Sequence, residues 1–207
     1  MFRSRIIPSP LPQLNTERLI LRPMRKSDFA DMYDYARRED TSRYVVWTPH
    51  PSLDYTRNYL AMIERLYRKG QFFDWAIVER ESGRMIGTCG FAKLDLQNRV
   101  GEIGYVLNPT RHGRGYATEA VRKVLEYGFG QMELNRVEGR YMVENTPSRR
   151  VMERCGLTFE GILRQSLRIK GEYRDIGICS IVKEEYARLC QQETFKGAME
   201  RSASAVR

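Results

Sequence analysis

A chain of 207 residues, 42% of them hydrophobic, holds enough apolar material for one full core, and its aperiodic pattern excludes a repeat array. The formal net charge of +9 suits an anionic partner such as a phosphate-rich cofactor, an acidic peptide or nucleic acid, although solvated surface lysines and arginines explain it equally well. No stretch is long and apolar enough to span a bilayer, and Met1 to Leu14 lacks the apolar centre of a secretion signal, so a cytoplasmic protein with no membrane role is expected.

Thr16 to Arg22 sets Leu19 and Leu21 against charged neighbours and reads as a first strand. Ser27 is placed to cap a helix with Phe29, Met32, Tyr33 and Ala36 on one face, and a second helix follows with Tyr55, Tyr59, Met62, Ile63 and Leu66 in register, stopping at Lys69-Gly70. Between them, Tyr44-Val45-Val46-Trp47-Thr48-Pro49-His50-Pro51 is an aromatic loop stiffened by two prolines. Tyr44 and Trp47 are candidate substrate-binding residues there, because rigid aromatic rings give contact area at little entropic cost; a packed connector reads the same way. Residues 72–79 and 84–92 form a hairpin about Glu81-Ser82-Gly83.

The strand 100–107 sends Glu102, Gly104 and Val106 to one face and Ile103, Tyr105 and Leu107 to the other. A carboxylate among apolar strand residues is either hydrated at a strand end, paired with an arginine, or functional. After Asn108-Pro109 comes Arg111-His112-Gly113-Arg114-Gly115-Tyr116-Ala117-Thr118, then Val121, Val124 and Leu125 at helical spacing. Strand, glycine loop, helix is a phosphate cradle in outline. Small residues let backbone N–H groups converge, and the helix N-terminus adds a positive dipole end. The spacing fits neither the G-x-x-x-x-G-K-[ST] nor the G-x-G-x-x-G pattern.

Arg136 to Val143 reads as another strand, Thr146-Pro147 opens a short helix closed by Gly156, and two strands, 161–169 and 173–182, meet at Lys170-Gly171-Glu172. The order β-α-α-β-β-β-α-β-α-β-β is a mixed α/β layout around one sheet. Cys89, Cys155, Cys179 and Cys190 are too scattered for a metal or redox motif, so no metal and free thiols are expected. Aromatics interleaved with basic residues do not form an RNA-binding platform motif, so no nucleic-acid readout is expected.

His112-x-x-Gly115-x-Ala117 resembles the [Q/R]-x-x-G-x-[G/A] signature of the GNAT acetyltransferase superfamily, with His112 where Gln or Arg is usual. Two further segments extend the resemblance to the branch of the ribosomal-protein N-terminal acetyltransferases. They are Thr16-Glu17-Arg18-Leu19-Ile20-Leu21-Arg22 and Asn145-x-x-Ser148-x-x-Val151-x-x-x-Cys155-Gly156-Leu157. The resemblance implies the GNAT fold, a mixed, mostly antiparallel sheet flanked by helices, over residues 14–186, leaving an extension at 1–13 and a tail at 187–207. Tyr186, with Leu189 and Phe195 of that tail, is expected to continue a packed helix, and the end of the tail is expected to be disordered.

By that resemblance the chain takes acetyl-CoA as co-substrate and acetylates a primary amine in a direct ternary complex, with the N-terminal amine of a protein such as a ribosomal protein as the first candidate. A small amine, or a non-catalytic acetyl-CoA-binding module, remains as the alternative, and a homodimer is left open. Cofactor contacts are expected from Val106, Leu107, His112, Gly113, Arg114, Gly115, Tyr116, Ala117, Thr118 and Asn145. An ammonium must lose a proton before it attacks, so Glu102 is the expected general base, acting directly or through water. Ser148 is expected to protonate the departing thiolate, because Met152 occupies the position where many members carry tyrosine; a serine bonded to its own helix is the alternative.

Overall fold

The computed structural model describes residues 11–192. Its strands are β1 (Leu14–Asn15), β2 (Leu19–Arg22), β3 (Phe73–Glu79), β4 (Met85–Asp95), β5 (Val100–Leu107), β6 (Arg136–Met142), β7 (Thr158–Ile169) and β8 (Glu172–Val182). Its helices are α1 (Phe29–Ala36), α2 (Glu39–Ser42), α3 (Leu53–Arg68), α4 (Tyr116–Gly130) and α5 (Thr146–Arg154), and residues 183–192 are also helical. The strands form one sheet in the order β1-β2-β3-β4-β5-β6-β8-β7, antiparallel except where β5 lies beside β6. Every expected element is present. The additions are β1 and α2, two and four residues long, too short for a periodicity to reveal.

The sheet is covered on both faces, and β3 shows how alternation divides them. Trp75 is fully buried with its ring 5.4 Å from that of Tyr127 on α4, whereas Asp74 beside it faces α1 and α3. Val121, Val124 and Leu125 of α4 bury on the Trp75 side.

Two helix faces differ from expectation. The start of α1 is set by Asp28, not by Ser27, which lies inside a 3₁₀ turn over Lys26–Asp28. Asp28 accepts the Arg25 N–H at 2.8 Å and holds Arg22 through two 2.8 Å bonds, and that bidentate pair outcompetes a serine cap. The buried line of α1 is Met32, Tyr35 and Ala36, so Tyr35 takes the place expected for Tyr33. In α3 the buried line is Thr56, Leu60, Ile63 and Tyr67, while Tyr55 and Met62 turn outward.

The feature that makes a site is a split in the sheet. β5 pairs with β6 only from Val100/Arg136 to Ile103/Gly139, yet β5 stays on β4 through Leu107 and β6 stays on β8 through Met142. Beyond Ile103 the two parallel strands diverge.

At the far edge, Arg136 of β6, Glu160 of β7 and Ser180 of β8 form a polar clasp, with Arg136 Nη1 2.8 Å and Ser180 Oγ 2.6 Å from Glu160 Oε1. Arg136 and then Ser180 hold the Glu160 carboxyl down at about 2. A depressed carboxylate pKa contributes stability above its unfolded value and loses it as pH falls through the folded one. Thermal stability should therefore fall as pH drops from about 4.5 to about 2, with a shallower slope in Glu160→Gln. Equal slopes would remove this clasp as the source.

The helical segment 183–192 docks through Tyr186, whose ring stacks on Phe129 at 4.7 Å, and through Leu189. Phe195 and the end of the tail lie outside the described residues.

Candidate active site

A cavity of about 700 Å³ passes through the sheet where β5 and β6 part. On the α1/α3 side its wall is aromatic, including Tyr35, Tyr44, Trp47 and Tyr59. On the α5 side it reaches Asn145, Ser148 and Met152, and Gly104, Tyr105 and Val106 of β5 run between the two ends.

The start of α4 lies outside that wall and meets the C-terminal end of α5, where Cys155 Sγ is 3.6 Å from the Thr118 carbonyl. None of the backbone N–H groups from Gly113 to Thr118 finds an acceptor among the described residues; the first to do so is that of Glu119, on the Gly115 carbonyl at 3.0 Å. Gly115 is the N-cap at φ 80° and Gly113 sits at φ 76°, a conformation that aims these amides outward and that side chains with a Cβ resist. The cradle is thus main chain, and its side chains serve to hold it. His112 Nε2 is 3.0 Å from the Leu107 carbonyl, Tyr116 donates to Glu79 at 2.9 Å, and Arg18 donates to the Arg114 carbonyl at 2.9 Å. Burial acts to raise the Glu119 carboxyl pKa, but the Thr16 hydroxyl at 2.6 Å and Arg18 outweigh it, so Glu119 ties β2 to α4. Six converging free amides at a 15-residue helix fit a pyrophosphate.

In the split, the Asn108 N–H bonds the Ile86 carbonyl on β4 at 2.7 Å. By strand alternation the Val106 N–H also faces β4, which leaves the Tyr105 and Leu107 N–H groups directed toward β6, where no strand pairs with them. Tyr105 Oη is 2.9 Å from both the carbonyl and the hydroxyl of Ser148, coupling β5 to α5, and burial pushes the phenol pKa well up so that it stays protonated. Asn145 caps α5 by accepting the Ser148 N–H at 3.3 Å, which leaves its amide NH₂ free to face the cavity it lines. Met152 is buried, packed where a Cβ on Gly139 would stand.

The aromatic chamber on the other face holds His50, whose ring is 4.9 Å from that of Tyr55 and whose pKa burial lowers. Asp74 lines the same chamber, and Glu102 does not. The Glu102 carboxylate stands at the rim, 3.3 Å from Lys93 Nζ and 3.5 Å from Arg140 Nε.

A match to the acetyltransferase (GNAT) domain family spans residues 18–158. The chain belongs to the GNAT acetyltransferase family. An uncharacterized N-acetyltransferase, p20, of Bacillus licheniformis is 37% identical over 84% of this chain and 98% of its own. Relatives that carry substrate names include two at 25% identity. One is a spermidine N(1)-acetyltransferase of Vibrio cholerae, matched over 81% of this chain and 95% of its own; the other is the ribosomal protein uS5 alanine N-acetyltransferase of Escherichia coli, matched over 80% and 88%. A crystal structure of a GNAT-family acetyltransferase from Bacillus anthracis superposes with a TM-score of 0.75 at 28% identity, covering 84% of this chain and 99% of that one.

The protein is thus an N-acetyltransferase, and acetyl-CoA is the acetyl donor of its family. Among the described residues no helix is long and apolar enough to cross a membrane, and no group of three or more His, Cys, Asp or Glu is placed to hold a metal ion. Of the GNAT site residues expected from sequence, Tyr44, Trp47, Val106, Asn145 and Ser148 share the cavity wall. Leu107 and the run from His112 through Gly113, Arg114, Gly115, Tyr116 and Ala117 to Thr118 form the adjoining strand end, loop and helix start. Sequence reasoning passed over Tyr105, Tyr35 and Asp74. The signal for Asp74 was available, since it alternates with Ala76 and Val78 on one face of a β-prone run, the pattern that drew notice to Glu102.

Proposed function

We propose that the acceptor is a primary amine, with the N-terminal amine of a protein as the first candidate, acetylated directly within a ternary complex. The observation that carries this is the continuity of the cavity: one volume reaches from the aromatic chamber through the split to Ser148 in the first turn of α5. Acetyl-CoA, when bound, supplies an activated acetyl thioester. The Gly113–Thr118 amides and the Asn145 side chain would hold it, and the Leu107 N–H would stabilise negative charge growing on the carbonyl oxygen. The Ser148 hydroxyl, buttressed by Tyr105, would donate to the sulfur. Glu102 takes a proton through water at the rim, between Lys93 and Arg140.

Lys93 and Arg140 on the cavity wall support a protein terminus over a polyamine, because a polycation would meet two positive charges there. The relative named for ribosomal protein uS5 supports the same reading, and the one named for spermidine supports the small-amine reading. A catalytic unit over residues 14–186, working in the cytoplasm, completes the proposal, and the exposed Ile162, Leu163, Leu167 and Tyr173 on the β7–β8 hairpin offer a face for a homodimer. Mass spectrometry after incubation with acetyl-CoA and a panel of peptides, polyamines and aminoglycosides tests it. Acetylated peptide α-amines are expected; product only from polyamines would move the reading to the second. Glu102→Gln should lower turnover about tenfold or more while acetyl-CoA affinity holds, and an unchanged rate would remove Glu102 from the proton path.

A further inference from the structure

Asp74 is a half-buried residue whose carboxyl is set into the chamber wall with no cation beside it. Its Oδ1 has no accessible surface and no hydrogen-bond partner, and the same is true of Tyr35 Oη in the same chamber. No cation pairs with Asp74 among the described residues. The groups facing it are Tyr35 from α1, Tyr59 and Tyr67 from α3, and Thr88 from β4, while Cys89 lies on the opposite face beside Trp75. Burial pushes its carboxyl up to about 7, against the opposing effect of Thr88 and the Trp75 N–H. An unpaired buried carboxylate costs stability, so its presence in a wall of tyrosines calls for an incoming cation.

The neighbouring strands leave space beside it. Asp74 pairs across the sheet with Gly90, and Gly90 with Gly104, so one row carries the carboxylate and then two residues without side chains. A Cβ on Gly90 would lie 2.9 Å from Asp74 Oδ1 and 2.2 Å from the Phe73 carbonyl. A Cβ on Gly104 would meet nothing nearer than Ala92 Cβ at 3.6 Å, so the space there is open.

We infer that Asp74 is the anion of the acceptor site: it receives the ammonium of a singly charged primary amine between the Tyr35 and Tyr59 rings and removes its first proton. The inference deepens the acetyl-transfer reading and rests on it. A tyrosine face favours an ammonium, and Asp74 is the one acid on the cavity wall, where Lys93 and Arg140 are the fixed cations. The class is therefore one ammonium on a neutral or anionic body, not a polycation. The ammonium gives one proton to Asp74, and the nitrogen lone pair forms the C–N bond while the C–S bond breaks with its electrons on sulfur. The nitrogen then loses a second proton by way of Glu102 and water; one proton ends on sulfur and one in solvent.

Asp74→Asn in the full chain tests this with three probes: an Ala-initiated tripeptide amide, 2-phenylethylamine and spermidine. Expected results are a kcat/KM for the accepted monoamine lower by about 100-fold or more, an unchanged Kd for acetyl-CoA, and loss of the rate limb near pH 7. A rate within about threefold of wild type, or wild-type preference for spermidine, overturns the inference. Stability gives a second readout. A carboxyl raised from 3.8 to about 7 on folding leaves full stability below the lower value and loses it as pH rises to the upper one, so Asp74→Asn should melt higher than wild type at pH 8 and converge with it near pH 4. Gly104→Val, which fills the chamber from β5, should raise the acceptor KM independently of any folding defect in the Asp74 variant. If wild type binds acetyl-CoA but acetylates none of the probes, the transfer reading fails for those amines, and equilibrium binding of 2-phenylethylamine decides separately on Asp74. Binding weakened about tenfold or more by Asp74→Asn supports the site, and equal binding overturns it.

Discussion

Gly115→Val is expected to weaken acetyl-CoA binding about tenfold or more, equivalent to at least about 1.4 kcal/mol, measured by calorimetric titration. The residue is the N-cap of α4 at φ 80°, where a Cβ costs roughly 1–2 kcal/mol and a β-branched side chain more. The nearest atom to that Cβ would be Arg18 Nη2 at 3.4 Å, so the effect comes from backbone conformation and not from collision. Relief of the strain rotates the peptide planes on either side, which are among those whose N–H groups from Gly113 to Thr118 point out of the chain without an acceptor. A Kd unchanged within twofold would place the phosphate grip away from this turn.

Trp75→Ala should destabilise the fold by about 3–5 kcal/mol and lower Tm by roughly 10–15 °C. Trp75 is fully buried, packs edge-on against Tyr127 at 5.4 Å, and donates its indole N–H to the Pro12 carbonyl at 2.7 Å. It also fixes the phase of β3: with Trp75 seated under α4, its chain neighbours must face the chamber, and the one before it is Asp74. Loss of Trp75 therefore threatens the acceptor side as well as the core. A Tm drop below about 3 °C would mean that the site collapses around the missing ring.

Much of the fold was legible because alternation and helical spacing are read from single segments. The 100–107 strand carries its expected bounds, the 72–79 and 84–92 runs and the 136–143 run shift by one to three residues at their ends, and the glycine loop opens α4 as its spacing required. What single segments cannot carry is what two elements do to each other. The buried line of α1 keeps Met32 and Ala36 but takes Tyr35 in place of Tyr33, and that of α3 runs through Thr56, Leu60, Ile63 and Tyr67, because each helix seats against neighbours that its own spacing does not name. The split between β5 and β6 depends on where two ladders stop, and no motif marks it. The cofactor side of the site was readable as a pattern of glycines and a helix start. On the other side Tyr44 and Trp47 stood out as an aromatic loop, but Tyr35, Tyr59 and Asp74 did not, since they come from three elements and meet only in the folded chain. Glu102 was conspicuous as a carboxylate among apolar strand residues, and of the readings left open for it the structure shows the ion-paired one, with Lys93 and Arg140 at the rim, while its catalytic part stays a proposal.

The central claim is that one cavity presents an acetyl donor held at α4 to an amine held on the opposite face of the sheet. A crystal structure with coenzyme A bound tests it most directly. The expected result places pyrophosphate oxygens within hydrogen-bonding distance, about 3.2 Å, of N–H groups between Gly113 and Thr118, with the sulfur in the split beside Tyr105 and Ser148. Coenzyme A on any other surface, with the split between β5 and β6 left empty, would contradict it.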